Sequence, residues 1–424
     1  MRSAMSVTLL AGAAIGAGAS TAFAANPAPA ASNDEVRAMV AEMLSDAQTR
    51  SSLLQAGGGA GHDGHFFLAS PDGNFRLNIS GGLQFRYNLV FRDNGFDSNN
   101  NPIDDFEPGF TNRRFRMKFD GTVYDPNLYY GIQAEFARNG GAFTLLDGYA
   151  GYKFDNGFKV QWGQFKIPFS REFLTSAWMQ QGVERSFVNE FFNANRGQGI
   201  MFAYSAENWR VSGMFSDGIS SLNTDFNADP ADWAVTGRAE MLFAGSWDQF
   251  KDFTSAPGSE DGLMVGLAAH FERSPDSPAI PGEIEDRFMW TVDAGWESDG
   301  WNLYGAFFGN HQSNGSKAGG SVDEYAWLIQ GGLYLSDDLE AFGRYEMLIP
   351  DSDQAGDDTF NTITFGANYY IHGHAAKFTT DVVIFLDDVA DTDIVTGTRT
   401  GVGFLDNGNE SGEYTVRFQF QLLF

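Results

Sequence analysis

The C-terminal end of the chain decides the fold. Residues 414–424 read Tyr-Thr-Val-Arg-Phe-Gln-Phe-Gln-Leu-Leu-Phe. Apolar residues alternate there with Thr415, Arg417, Gln419 and Gln421. Successive side chains of a β-strand point to opposite faces, so this alternation predicts a strand with one apolar face and one polar face. The chain ends on a phenylalanine of the apolar face, which suits a strand of an outer-membrane barrel.

The same period of two recurs along most of the chain, for example at residues 75–89, 114–123 and 287–297. Neighbouring segments leave no room for a helical crossover, so the predicted sheet is antiparallel. Sixteen such segments are predicted, with starts near residues 75, 110, 128, 143, 157, 199, 209, 234, 262, 287, 301, 324, 339, 359, 376 and 413.

The connections between the predicted strands are of two kinds. Short ones, such as 124–127, 155–157, 297–300 and 336–338, alternate with long polar ones. Short turns at one end and long loops at the other are typical of a transmembrane barrel. The long connections are 93–109, 171–198, 217–232, 245–261, 273–286, 311–322 and 387–412.

Two all-β architectures fit this pattern, an antiparallel transmembrane β-barrel and a soluble sandwich. Three features favour the barrel. The apolar face carries aromatics near strand ends, as at Tyr152, Trp209 and Trp296, the opposite face carries charges on strand after strand, and the last strand ends on a phenylalanine. A bilayer excludes open sheet edges, so the first and last of about 16 strands are expected to pair and close the barrel.

Composition excludes several function classes. The chain has 424 residues, and its 27 basic and 55 acidic residues give a net charge of −28. Nucleic-acid binding requires a basic surface, so nucleic acid is not an expected partner. The absence of cysteine excludes disulfide scaffolds, thiolate metal sites and cysteine nucleophiles.

The N-terminus indicates export. Residues 1–24 combine one arginine, an Ala/Gly-rich apolar stretch and Ala-Phe-Ala at 22–24, which predicts a cleaved signal peptide; a membrane anchor is the alternative. Residues 25–60 form a predicted periplasmic linker with a short helix over 33–55, and residues 61–424 form the barrel. The helix is either a solvated leader or a self-associating element. After residues 1–24 the sequence contains no run of 18 or more apolar residues, so no transmembrane helix is expected.

The segment 112–200 resembles the phosphate-selective porin O/P family of outer-membrane porins. The most distinctive pieces are Gly-Gln-Phe-Lys-Ile-Pro-Phe-Ser at 163–170 and Val-Glu-Arg-Ser at 183–186. Further similar pieces lie at 112–124, 132–136, 147–152 and 366–371, and in the last strand. The resemblance implies a barrel of sixteen strands, a homotrimer and a place in the bacterial outer membrane.

The candidate site is the polar face, which would line a pore. Arg114, Arg116 and Lys118 alternate along one strand and are the predicted anion track. Arg76, Arg86 and Lys166 are further pore-lining candidates, with Lys166 inside the family-like motif. The segment 171–198 is expected to fold inward and narrow the pore, carrying Arg171, Arg185 and Arg196 with it.

Each of these bases has an alternative interpretation, in which it pairs with a neighbouring acid and selects nothing. The chain has only seven lysines, and its loops are acidic, so phosphate specificity stays open. The loop carboxylates could instead hold Ca²⁺, although no EF-hand spacing occurs. His372 and His374 could hold a metal, but their surroundings favour a turn.

The sequence therefore predicts an outer-membrane porin that passes small hydrophilic solutes and ions by diffusion, with a possible preference for anions or phosphate. The expected partners are outer-membrane lipid and small ions and anions as permeants. No catalytic motif and no cofactor requirement is found, so an enzyme is not expected. The alternative is a structural or surface-interaction barrel with acidic loops and a plugged lumen.

Overall fold

The chain divides into two compact units, residues 1–56 and 57–424. In the first unit, residues 40–42 and 44 are helical and exposed, and they lie within the predicted helix 33–55. The rest of that helix and the predicted signal peptide lie outside the described residues. The computed structural model describes residues 40–42, 44, 59–92, 104–137, 140–228, 230–274, 284–314, 320–352, 359–387 and 412–424.

The second unit is a closed antiparallel β-barrel. Sixteen strands of the described residues, β3 to β18, each pair with the next along the chain, and β18 pairs with β3 to close the sheet. The strands are β3 (Arg76–Phe91), β4 (Phe106–Val123), β5 (Asp125–Phe136), β6 (Phe143–Lys153), β7 (Phe158–Lys166), β8 (Arg196–Ser205), β9 (Trp209–Ser216), β10 (Trp233–Ala244), β11 (Gly262–Arg273), β12 (Asp286–Ser298), β13 (Trp301–Gln312), β14 (Val322–Ser336), β15 (Leu339–Ile349), β16 (Phe360–His372), β17 (Ala376–Phe385) and β18 (Tyr414–Leu423).

The predicted barrel is confirmed, and the predicted strand starts are close to the observed ones. The largest difference is at β4, which begins at Phe106 rather than near residue 110. Period-two alternation explains the orientation of the strands. On β17, Phe378 points outward and is 50% exposed, whereas its neighbours Lys377 and Thr379 are buried inside the barrel. Apolar side chains thus face outward and polar side chains face the lumen.

A short hairpin that the sequence did not predict precedes the barrel. It consists of β1 (Gly59–His62) and β2 (Phe66–Ala69), and β2 pairs with the first residues of β3. Directly beside it, the terminal Phe424 and Gly81 exchange two backbone hydrogen bonds of 2.9 and 3.0 Å. Strands of four residues are too short to show a clear alternation.

The two ends of the barrel differ as expected, with one correction. Connections at residues 154–157, 206–208, 299–300 and 373–375 are short and lie at one end, called here the turn end. Residues 245–261 were expected among the long loops of the opposite end. They lie at the turn end instead, because β10 runs in the same direction as β8, whose end leads into the 206–208 turn.

Residues 167–195, named here the inward segment, connect β7 to β8 and lie inside the barrel. They form helix α1 (Arg171–Leu174), a 3-10 turn (Ala177–Met179) and helix α2 (Phe187–Phe192). Most of these residues are buried. Within the described part of the chain, no helix has the length and hydropathy needed to cross a membrane.

Candidate functional site

The inward segment is anchored at both ends of α1. Ser170 caps the helix: its Oγ accepts a hydrogen bond from the Phe173 N–H at 3.4 Å and donates to Asn189 Oδ1 at 2.7 Å. At the other end, Lys166 Nζ donates to the carbonyls of Phe173 at 2.7 Å and Leu174 at 3.0 Å. A cation is favourable at the C-terminal carbonyls of a helix. Lys166 therefore holds the segment against β7.

The apolar side of the inward segment packs on one half of the barrel wall. Phe187 lies with its ring centroid 5.7 Å from that of Phe385 on β17, and Phe192 lies 6.1 Å from Phe308 on β13. All four rings are at most 2% exposed. Burial of such aromatic side chains is a large stabilising term. The segment thus fills the half of the lumen bounded by β13 to β17.

A buried carboxylate ties the inward segment to β3 and β4. Glu184 contacts Arg86 Nη2 at 3.2 Å, Arg113 Nε at 2.7 Å and Arg114 Nη2. A bulge in β4, where Gln84 pairs with Arg114 and Phe85 with Asn112, leaves Arg113 as the extra residue. The register shift lets both adjacent arginines reach one carboxylate.

The charge of Glu184 is stabilised by this arrangement. Burial alone would raise the pKa of the carboxyl group, but the guanidinium groups of Arg113, Arg114 and Arg86 outweigh it and hold the pKa well below its usual range. The carboxylate is therefore ionised at neutral pH and neutralises part of a three-arginine cluster.

Acidic residues on β15 and β17, across the lumen from β3 and β4, bind the backbone of the inward segment. Asp381 on β17 accepts from the Val183 N–H at 3.1 Å, and Glu346 on β15 accepts from the Val188 N–H at 3.2 Å. Arg344 on β15 donates to the Glu184 carbonyl at 3.1 Å. The polar face of these strands therefore holds the segment rather than lining open water.

The other half of the lumen is open. A cavity of about 1300 Å³ runs along the wall formed by β4 to β10, between the inward segment and the turn end. We call this space the passage. Six bases and three acids line it, so its lining is more basic than the chain as a whole. They are Arg116, Lys118, Lys159, Lys166, Arg210, Arg238, Asp147, Glu240 and Asp252.

Most bases of the passage have acidic partners. Lys118 Nζ lies 3.0 Å from Asp120 Oδ1, and Arg116 pairs with Glu135. Lys159 and Lys166 differ, because no carboxylate lies within ion-pair distance of either among the described residues, and Lys166 donates to backbone carbonyls instead. Lys153 lies directly opposite Lys159 across the β6–β7 pair. The two ammonium groups both contribute positive potential at this part of the passage.

The three residues of the predicted anion track lie in different surroundings. Arg116 and Lys118 line the passage, whereas Arg114 is 4% exposed and lies under the inward segment against Glu184. Arg86 is likewise covered, and Arg76 pairs with Asp63 beside the β1–β2 hairpin. Which bases are accessible depends on the inward segment rather than on strand alternation.

The three bases predicted for the inward segment have different surroundings. Arg171 lies among aromatic rings, described below. Arg185 donates to the carbonyls of Glu172 at 3.0 Å and Thr175 at 2.8 Å. Arg196, the first residue of β8, pairs with Asp147 at 2.8 Å.

Sequence reasoning also left important residues out of the candidate site. Glu184 was noted only as part of the family-like Val-Glu-Arg-Ser piece. The segment 171–198 also contains Glu172 and Glu190, so its sequence alone does not single out Glu184. Arg113 and Arg210 were missed as well. Among the described residues, no group of three or more metal-ligating side chains is present, and His374 contacts Asp252 at 3.5 Å.

Comparison with known proteins supports a porin. The sequence model of the phosphate-selective porin O and P family matches residues 82–267. An uncharacterized protein of Aquifex aeolicus (strain VF5) is 25% identical over 273 residues, which are 57% of this chain and 62% of that protein. The chain thus matches less than two thirds of that relative's length.

Solved porins share the fold. The anion-selective porin from Comamonas acidovorans matches with a TM-score of 0.55 at 14% identity, over 82% of this chain and 99% of that chain. The outer membrane channel DcaP of Acinetobacter baumannii matches with a TM-score of 0.54 at 13% identity, over 82% and 97%. OmpF from Salmonella typhi, in complex with daunomycin, matches with a TM-score of 0.55 at 11% identity, over 83% and 98%.

These identities show the fold alone, and the family model matches residues 82–267, which are less than half of the chain. The chain is a porin-type β-barrel of the bacterial outer membrane, and its residues 82–267 are similar to the phosphate-selective porin O and P family.

Proposed function

We propose that the chain forms a water-filled channel for small hydrophilic solutes and that the passage prefers anions. The observation that carries the proposal is the lining of the passage, in which six bases face three acids in a chain of net charge −28. Fixed charges on a narrow pore wall select ions of the opposite sign. The family match and the fold indicate a channel rather than an enzyme.

Three finer points belong to the same proposal. The exported chain loses residues 1–24, and three copies associate, as the family resemblance implies. Phosphate is the proposed preferred permeant among small anions, because guanidinium and ammonium groups match phosphate oxygens. The description of the Comamonas porin as anion-selective supports the sign of the preference.

Planar-bilayer recording of the purified protein tests this proposal. We expect stepwise ionic currents and, in a KCl gradient, a reversal potential displaced toward the chloride equilibrium potential. Replacing chloride with phosphate should leave a measurable current, and phosphate should reduce the chloride current by competing for the bases of the passage. A reversal potential on the potassium side would overturn the anion preference while leaving the channel itself intact.

A second candidate function is a structural or surface-interaction barrel. The filled half of the lumen favours it, because the inward segment packs tightly against β13 to β17. The same recording separates the two functions. Absence of any stepwise current from correctly folded protein would support the structural barrel.

A further inference from the structure

The connection between β10 and β11, residues 245–261, is much longer than the other turn-end connections. We call it the turn-end segment. It crosses the mouth of the barrel and is bonded to neighbouring turns. Trp247 Nε1 donates to the Glu207 carbonyl at 2.9 Å, the Gly258 N–H donates to Asp299 Oδ1 at 2.6 Å, and Thr254 Oγ1 lies 3.2 Å from His374 Nε2. These contacts join turns that lie around one half of the mouth.

The turn-end segment also enters the barrel. Phe250 and Phe253 are 4% and 2% exposed, and the Phe253 ring lies 4.7 Å from that of Tyr304 on β13. A polar connection at the mouth of a pore would normally expose such residues to water. Their burial shows that the segment closes the turn end beneath the filled half of the lumen.

One residue of the inward segment, Arg171, contacts the turn-end segment. The Arg171 guanidinium carbon lies 5.2 Å from the Phe250 ring centre, 4.8 Å from that of Phe253 and 5.2 Å from that of Tyr304. Its Nη2 donates to the Asp252 carbonyl at 3.3 Å. Its Nε and Nη1 have no hydrogen-bond partner in the part of the chain that the structure describes. Its Nη2 also lies 3.9 Å from Glu297 Oε1 on β12, so the three rings and this buried carboxylate together stabilise the cation.

We infer that the turn-end segment is a fixed lid over the filled half of the lumen and that Arg171 is the positioning residue that fastens the inward segment to it. The inward segment is thus attached to β3 and β4 through Glu184, and to β15 and β17 through Glu346 and Asp381. At the turn end it is attached through Arg171. This arrangement sets the width of the passage and confines solutes to the β4–β10 side. The inference rests on the proposed function.

Removal of the lid gives the first test, by planar-bilayer conductance. Deleting residues 247–259 leaves a connection about as long as the 154–157 turn. We expect single-channel conductance to rise, because Asp252 of the lid also lines the passage and removal of the lid widens the mouth of the passage. A folded, heat-modifiable barrel with wild-type conductance and wild-type current noise would overturn the lid. If the wild-type protein itself carries no current, the proposed function fails instead.

Arg171→Met gives the second test and does not depend on the deletion folding. We expect frequent sub-conductance steps and raised open-channel noise, with an unchanged sign of the reversal potential, because the inward segment loses its lower attachment. Arg171→Lys, which keeps a cation among the rings, should largely restore quiet currents. Lys251→Gln is the control, since this exposed side chain of the turn-end segment pairs with exposed Asp248. Quiet wild-type currents in Arg171→Met would contradict the positioning role.

Discussion

Replacing Glu184 with Gln is expected to free the inward segment from β3 and β4 and to produce a noisier channel of lower stability. The substitution removes a carboxylate that contacts Arg86, Arg113 and Arg114. Loss of one partner from a buried ionic network costs about 3–5 kcal/mol, because the remaining charges stay desolvated. The measurements are the heat-induced shift in gel mobility and the open-channel noise in a planar bilayer.

Glu190→Gln is the matched control for this variant. Glu190 lies in α2 of the same segment, is only partly buried, and makes no side-chain ion pair among the described residues. It should leave both measurements near those of the wild type. Equal destabilisation by the two substitutions would show that any loss of charge from the inward segment has the same effect, and that Glu184 is not its specific attachment.

The same carboxylate gives a pH dependence. A carboxyl group whose pKa is lower in the folded state stabilises the fold above its unfolded pKa of about 4.3, and that stability is lost as pH falls through the folded value. Since the pKa of Glu184 lies well below its usual range, its contribution persists in mild acid. Wild-type currents should therefore stay quiet at pH values where an ordinary glutamate is protonated.

The second large effect is a reversal of ion preference on changing the lysines of the passage. In the double variant Lys118→Glu, Lys159→Glu, two cations become anions on a wall where Lys159 has no acidic partner in the described chain. We expect the reversal potential in a KCl gradient to move toward the potassium equilibrium potential. The effect should be largest in dilute salt, because the screening length is about 10 Å at 0.1 M and about 3 Å at 1 M.

Lys159→Arg serves as the control for that variant, since it keeps the charge and changes only its shape. It should retain the wild-type sign of the reversal potential. An unchanged reversal potential in the double lysine variant, at low as well as high salt, would remove β4 and β7 from the ion pathway. The anion preference would then have to arise elsewhere in the chain.

The barrel could be predicted because its signal is local. Each strand alternates over about ten residues, so period and strand number follow from the sequence, and Phe378 and Lys377 fall on the expected faces. The position of residues 245–261 at the turn end could also have been predicted. They follow the eighth barrel strand, and counting directions along an antiparallel barrel places that connection at the turn end.

The candidate site was harder to predict because it depends on contacts between distant parts of the chain. Alternation places Arg114, Arg116 and Lys118 on one face, but only the fold of the inward segment decides that Arg114 is covered and Arg116 is not. The bulge that brings Arg113 to Glu184 leaves no pattern in the sequence. Arg171 meets Phe253 across more than eighty residues, a pairing that no local motif indicates.

The central claim is that solutes move along the β4–β10 half of the lumen while the other half is closed. The chain has no cysteine, so single cysteines can test this directly. Ser212 on β9 lines the passage, and Thr364 on β16 faces the filled half with 0% exposure. A negatively charged methanethiosulfonate reagent, added during bilayer recording, should reduce the current stepwise in Ser212→Cys and leave it unchanged in Thr364→Cys. Block in Thr364→Cys with none in Ser212→Cys would contradict the account.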